Sequence, residues 1–437
     1  MFLGPLLLTN MLQALSGTLN TVFVGQMLGT GALAAVAAMI PLLAFFMAFV
    51  IGLGSGSSIV VGHAWGANDI ERARAIAGSV ISAGALLGAI VGLLGFALAD
   101  PLLRLLGTPP DVLSDAIAYV RVMMAFVPLF FVSILTASLL RGVSDTVTPL
   151  RSLLVSLGAT AVLTPALIHG GAGLPALGIT GGAWATTFAV ALSLAWMVWH
   201  LRRKHHPLAP DAAFRPHWRI RPELLRPVLK LGIPTGLFFI TSSLADLALL
   251  RIVNGHGSQA TAAWGAVGQV MNYVQFPAMS IAIAASILAA QAIGAGRLHQ
   301  VAAVTRVGLG VNLAVTGGLA LAATLLAPQL VRLFISDEAV VRLAATLLMI
   351  GVWGAVLLGF GSVFSGIMRA GGTVLVPTLI SLSLLAFALF PLGWGLDRLW
   401  GLPGIRLAHP LVFACGCLLQ AAYFHAVWKK KPLRRLA

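Results

Sequence analysis

Apolar runs long enough to cross a bilayer recur from one end of this chain to the other, and acids are almost absent from them. About 20 consecutive apolar residues make a helix as long as the hydrocarbon layer is thick. Apolar length and loop punctuation predict helices over 2–25, 32–61, 75–98, 116–140, 149–168 and 178–201. A second set follows over 229–252, 260–290, 303–326, 342–368, 374–396 and 408–428. Only 9% of the 437 residues are charged and 59% are hydrophobic. Soluble domains carry roughly 25% charged residues, so this chain cannot clothe a water-facing surface, and a soluble enzyme is excluded. The expected fold is an all-α polytopic membrane protein of twelve transmembrane helices. Its opening stretch has no basic leader and no small-residue cleavage site, so it reads as the first span and not as a removable signal.

The net charge of +15 comes from 27 Lys and Arg against 12 Asp and Glu. In a soluble protein this excess would suggest nucleic acid; here it sorts by side. Loops between spans 2–3, 4–5, 6–7, 8–9 and 10–11, with the tail, hold 20 basic residues, and the opposite loops hold 7. The richer side stays cytoplasmic, which places both termini there, in a plasma (inner) membrane. The tail WKKKPLRRLA reads as a topological anchor, with lipid-headgroup recognition as the alternative. The longest polar connection divides the chain into an N-lobe (1–201), a basic cytoplasmic linker (202–228) and a C-lobe (229–437). Its Pro and basic residues argue against a packed soluble domain. Cys415 and Cys417 lie two apart in an apolar run and form no disulfide framework.

The chain also repeats itself at an offset of 228 residues. Leu3-Gly4 returns as Leu231-Gly232, Gly66-Ala67 as Gly294-Ala295, Arg104 as Arg332, Arg141 as Arg369 and Pro149 as Pro377. Six spans per repeat is an even number, so the halves enter the membrane from the same side as parallel repeats. Two such bundles can enclose a central cleft that opens to either side by rocking. That is the plan of a monomeric carrier.

In order and in duplicate, several runs carry a further likeness: GTLNTVFVGQMLGTGALAAV, HAWGANDIERAR, LLRGVSDTVTPL, LGITGGAWATTFA, AAQAIGAGR and IMRAGGTVLVPTL. Over nearly its full length the chain resembles the multidrug and toxic compound extrusion (MATE) family of secondary antiporters. The resemblance implies twelve helices in two lobes around a V-shaped cavity. It also implies export of amphiphilic, often cationic compounds in exchange for H⁺ or Na⁺, with no cofactor. Members typically carry an Asp in span 1, where this chain has Asn20, and an Asn and an Asp in span 5, where it has Thr160 and Thr164. Asn or Thr can lend oxygen to a cation but cannot take up a proton near pH 7.

Asp246 is the one acid that falls well inside an expected span. Intramembrane carboxylates face water or partners, and they are functional candidates by default. The structural alternative is an acid near the outer end of span 7, solvated or set against Arg251. Asp246 is therefore the expected cation-coupling residue, with Asn20 and Thr164 as its N-lobe counterparts. Ser242, Ser243 or Asn272 could help it hold Na⁺. In span 8, Gln269, Asn272, Tyr273 and Phe276 fall on one face. With Gln13, Asn20 and Ser242 they form the expected substrate cavity, although interhelical hydrogen bonding alone would also explain them. Thr148, Ser152, Ser156, Thr160 and Thr164 make a stripe in span 5 that reads first as helix packing. Pro5, Pro234 and Pro277 are candidate hinges or static bends. Gly66-Ala67 and Gly294-Ala295 read as helix C-caps, and Arg141 and Arg369 as anchors of cytoplasmic loops, not of substrate.

The ten His lie at span ends or in loops, without metal-ligand spacing. No HExxH, Walker loop or GxSxG occurs, which argues against an ATP-driven pump, a protease or any other enzyme. Two alternatives compete with the antiporter. A lipid-linked saccharide flippase would need several basic residues in its cavity, and no Lys or Arg is placed mid-span. A receptor or scaffold would call for neither the repeat nor the intramembrane acid.

Overall fold

The computed structural model describes the backbone of residues 2–105, 108, 110–170, 176–431, 433 and 436; side chains at 14–26, 28–45, 111, 213 and 215 lie outside the description. Among the described residues there is no strand. In the first half the helices are α1 (Leu3–Gly66), α2 (Ile70–Ala97), α3 (Ala99–Leu105), α4 (Pro110–Ala125), α5 (Val127–Gly142), α6 (Val147–His169) and α7 (Ile179–Arg203). The second half continues with α8 (Pro222–Asn254), α9 (Ser258–Gly294), α10 (His299–Leu325), α11 (Ala327–Arg332), α12 (Glu338–Gly351), α13 (Gly354–Ala370), α14 (Leu375–Ser383), α15 (Phe390–Trp400) and α16 (Leu402–Ala426). Ten described helices are long and apolar enough to cross a membrane, or eleven if the bent pair α4–α5 is one span. The spans expected over 2–25 and 32–61 both lie within α1, whose backbone is helical from Leu3 to Gly66, so the break expected near 26–31 does not appear.

Two compact units emerge, Met1–Gly232 and Ile233–Leu436. Several spans are less regular than the sequence suggests. The span expected over 116–140 is broken between α4 and α5 with a bend of 50°, and Pro128 stands in the first turn of α5. Proline there lacks only a donor that a helix start leaves unused. The span expected over 342–368 is interrupted between α12 and α13 at Val352–Trp353. Span 11 passes through a π-helical turn at Leu384–Leu389. Helices α1 and α9 end at Gly66 and Gly294 with Ala67 and Ala295 as C-caps, as the sequence predicts.

Helix packing in the first unit uses glycine spacing. Gly84, Gly88, Gly92 and Gly95 line one face of α2, and added Cβ atoms there would strike Leu135, Pro128 or Met124. Small residues let backbones approach closely, and Phe131 and Leu135 of α5 are fully buried. In the second unit, Asn312 of α10 is fully buried. Its Nδ2 donates to the Val356 carbonyl (3.0 Å) and its Oδ1 accepts from Thr316 Oγ1 (3.0 Å). Gly359 of α13 makes the room, since a Cβ there would collide with Asn312.

The basic connection is a folded strap lying on α2. Asp211 accepts from the Phe214 amide (2.9 Å) and starts a 3₁₀ turn over Ala212–Trp218. Arg74 Nε donates to the Pro207 carbonyl (2.6 Å), Ser82 Oγ to that of Trp218 (2.8 Å) and Ser79 Oγ to that of Arg219 (3.1 Å). Gly78 lies directly beneath His217, where any Cβ would meet its carbonyl. Phe214 is buried beneath the strap. Backbone carbonyls and the buried Phe214 thus hold down a segment that is otherwise rich in basic residues and proline.

Candidate functional site

Helix α8 carries Asp246 between Ala245 and Leu249, both of which are buried in the core of the second unit. That register leaves the Asp246 carboxylate turned out of the core, with its side chain 61% exposed. Helix α16 starts after Gly401, whose φ of +63° suits glycine. Arg406 and His409 follow three residues apart, which puts them on one face. His409 Nε2 lies 3.2 Å from Asp246 Oδ1, and the imidazole is only 13% exposed.

Arg406 is buried, and its guanidinium lies over the Trp264 ring of α9 at 5.0 Å. This cation–π contact replaces part of the lost hydration. Gly351 of α12 leaves the space for it. Arg406 Nε and His409 Nδ1 are buried without a hydrogen-bond partner. A carboxylate, an imidazole and a guanidinium thus meet inside one bundle. Imidazole can receive a proton on one nitrogen and present another to its partner, so the pair can hold a proton or pass it on.

Asp246 lies against His409, while Arg251, five residues along its own helix, is a poor fit for a direct pair. The structure corrects one placement. Arg406, expected in a loop, is inside α16 and buried. Sequence reasoning missed His409, Arg406 and Trp264 as partners. The available signal was a pair of basic residues at helical spacing in an apolar span with no acid beside them.

The other expected site residues are spread out. Gln269 and Asn272 share an exposed face of α9, Tyr273 and Ser242 are half-buried, and Gln13 is exposed on α1. Asp246 makes no described hydrogen bond to Ser242, Ser243 or Asn272. The side chain of Asn20 lies outside the described residues. Thr164 is fully buried and its Oγ1 has no partner. Along the α6 stripe, Ser152 Oγ lies 3.1 Å from both the carbonyl and the hydroxyl of Ser193 in α7, a helix-packing contact. Pro277 is buried inside α9, while Pro5 and Pro234 are half-buried.

Long apolar helices in two units, one enclosing a charged cluster, have the fold of a polytopic transporter. The chain matches a solved outward-facing multidrug resistance MATE family transporter of the MOP superfamily with a TM-score of 0.89 at 20% identity, covering 98% of this chain and 96% of that one. The MatE family model matches twice, over residues 5–166 and 234–394, in step with the internal repeat. The chain belongs to the MatE family. It is 38% identical to the probable multidrug resistance protein YoeA of Bacillus subtilis (strain 168), over 100% of this chain and 95% of that protein. It is 23% identical to the multidrug export protein MepA of Staphylococcus aureus (strain MRSA252), over 92% of this chain and 87% of that protein.

Proposed function

We propose that this protein is a secondary active antiporter of the plasma membrane. It exports amphiphilic, often cationic organic compounds in exchange for H⁺ or Na⁺ by alternating access. The observation that carries this reading is the Asp246–His409 pair, 3.2 Å apart inside the second unit. An inward-moving ion neutralises the carboxylate, and loss of that ion restores a site for a cationic substrate; Arg406 keeps the carboxylate from being retained as an unpaired charge. The imidazole of His409 is the buried partner, so neutralising the exposed carboxylate changes the charge that it faces, and the occupied and vacant forms favour different conformations. Gln13, Gln269, Asn272 and Tyr273 supply polar points on an otherwise apolar cavity wall, which suits varied amphiphiles. Asn20 and Thr164 offer oxygen ligands in the first half, and Pro5, Pro234 and Pro277 are the bends that move. The carrier works as a monomer with both termini cytoplasmic.

Reconstituted vesicles containing a cationic dye test this, with pH and Na⁺ gradients imposed separately. Asp246→Asn abolishes gradient-driven export, a loss of at least tenfold, while dye binding persists. Export by that variant at the wild-type rate overturns the coupling assignment. For orientation, single cysteines are placed at 210 and 336 in a background lacking Cys415 and Cys417. Impermeant reagent added to intact cells labels 336 and spares 210; labelling at 210 reverses the topology.

A further inference from the structure

The second unit contains a cleft between α8, α13, α14 and α16. One end is apolar, with Phe238, Leu357, Leu385 and Phe413, and the other is built from polar groups around Arg369. Arg369 Nη1 donates to Thr235 Oγ1 (3.0 Å), and Nε is buried without a partner. Among the described residues no carboxylate forms an ion pair with this guanidinium. Gln420 is 4% exposed; Nε2 donates to Ser381 Oγ (3.0 Å), and Oε1 is buried without a partner. Turning the amide over keeps the Ser381 bond with roles exchanged and presents Nε2 as a second donor. The hydroxyls of Ser362, Ser365 and Thr378 complete that end.

Arg369 lies in the last turn of α13, where any cation offsets the helix dipole. The other half of the molecule separates that role from binding. Arg141 occupies the same place in the last turn of α5, and its Nε is likewise buried without a partner. At span 12 the offset becomes 223, because α7 and α16 each run 25 residues from a positive-φ glycine, Gly178 and Gly401. Thr235, Ser362, Ser365, Thr378 and Ser381 correspond at 228 to Leu7, Ile134, Ala137, Leu150 and Leu153, and Gln420 corresponds at 223 to Met197. Ending the helix therefore requires the arginine but not the polar shell. At these positions the polar residues are particular to the second half, and among the described residues the cation they surround has no ion-paired carboxylate.

We propose that this cleft binds an amphiphile with a singly charged anionic head, a carboxylate or a phosphodiester. The head pairs with Arg369 and Gln420, and the chain lies along Phe238 and Phe413. Guanidinium favours such oxyanions through its fork of donors. One arginine matches a monoanion and leaves a pyrophosphate undercompensated. The site extends the transport reading to a class of ligand opposite in charge to the one proposed above. It does not depend on coupling at Asp246, because binding here needs no gradient.

The full-length protein in maltoside micelles is titrated with dodecanoate, methyl dodecyl phosphate, dodecyltrimethylammonium, acetate and dimethyl phosphate, followed by calorimetry. Both long-chain anions bind. Acetate and dimethyl phosphate bind at least tenfold more weakly, because they lack the chain. Arg369→Gln weakens dodecanoate at least tenfold and leaves dodecyltrimethylammonium unchanged. If that variant does not fold, the double variant Ser381→Leu/Gln420→Met decides the matter. It installs the first-half residues, keeps the arginine, and weakens dodecanoate severalfold. Displacement of dodecanoate by phosphatidylglycerol identifies a membrane lipid as the anionic amphiphile; failure to displace it assigns the site to single-chain anions. Unchanged dodecanoate affinity in the folded variants, or equal affinity for acetate, overturns the proposal.

Discussion

At the contact between α2 and α5, Gly84 and Gly88 receive Leu135, Pro128 and Phe131. At the matching contact between α10 and α13, Asn312 and Thr316 stand where those glycines were, and Gly359 stands where Phe131 was. Large and small residues have changed helices. One interface is dry and interlocked, and the other is closed by hydrogen bonds from Asn312 and Thr316. The comparison teaches that the repeat preserves the distance between two backbones and not the residues that set it. A half is free to introduce polar groups wherever its partner helix yields the space.

The sharpest way to break this comparison is to mix the two solutions. Gly359→Phe drives a ring into Asn312, and overpacking of this kind typically costs 1–3 kcal/mol; we expect about 3 kcal/mol, because the neighbour is fully buried. Adding Asn312→Gly recreates the first-half arrangement and recovers most of the loss. Thermal unfolding in detergent measures both. A double variant melting no higher than the single one shows that the interfaces are not interchangeable.

A smaller effect concerns the strap, which only the first half carries. Gly78 corresponds at the repeat offset to Arg306, which is exposed on α10. Gly78→Ala sets a methyl group against the His217 carbonyl, and we expect a cost of about 2 kcal/mol from the same overpacking range. The strap lifts, and limited proteolysis cuts faster within 207–219. Equal cleavage of variant and parent would remove the strap as a packed element.

The smallest effect is a pH dependence confined to the same segment. Burial pushes the His206 imidazole below its usual range, with Asp145 at 4.0 Å opposing the shift. Its Nδ1 accepts from the Leu208 amide (3.1 Å), a bond that protonation there would end. As pH falls below about 6.5, the unfolded chain takes up the proton before the folded one does, so stability is complete above that pH and declines below it. His206→Asn flattens melting temperature between pH 7 and pH 5 relative to the parent; parallel curves would show that His206 does not contribute.

Much of this fold was legible because bilayer length and hydropathy act locally. The predicted ends of α6, α7, α9 and α10 lie within a few residues of those observed. Breaks inside spans were not legible. Pro128 was visible, but a proline in an apolar run does not say whether the run bends or ends. Asp246 stood out because a carboxylate in such a run is rare. His409 did not, because it is 163 residues away and only the packing of α8 against α16 makes it a partner. The strap was hidden for another reason: its anchors are main-chain carbonyls, which carry no residue signature.

The strap changes the mechanics of the connection between the units. Eighteen residues, 204–221, separate α7 from α8; fully extended, such a leash would reach roughly 60 Å. It is tied down at Pro207, Trp218 and Arg219, and the Arg221 amide donates to Ser79 Oγ (3.3 Å), so it has no slack to release. Helix α8 then crosses from the first unit into the second without a break. Gly232 rests against the backbone of Gly52 and Leu53, and Pro234, two residues later, has no amide to offer the preceding turn. The connection therefore reaches α8 as fastened chain and not as a free leash, and the turn at 230–234 runs one backbone hydrogen bond short.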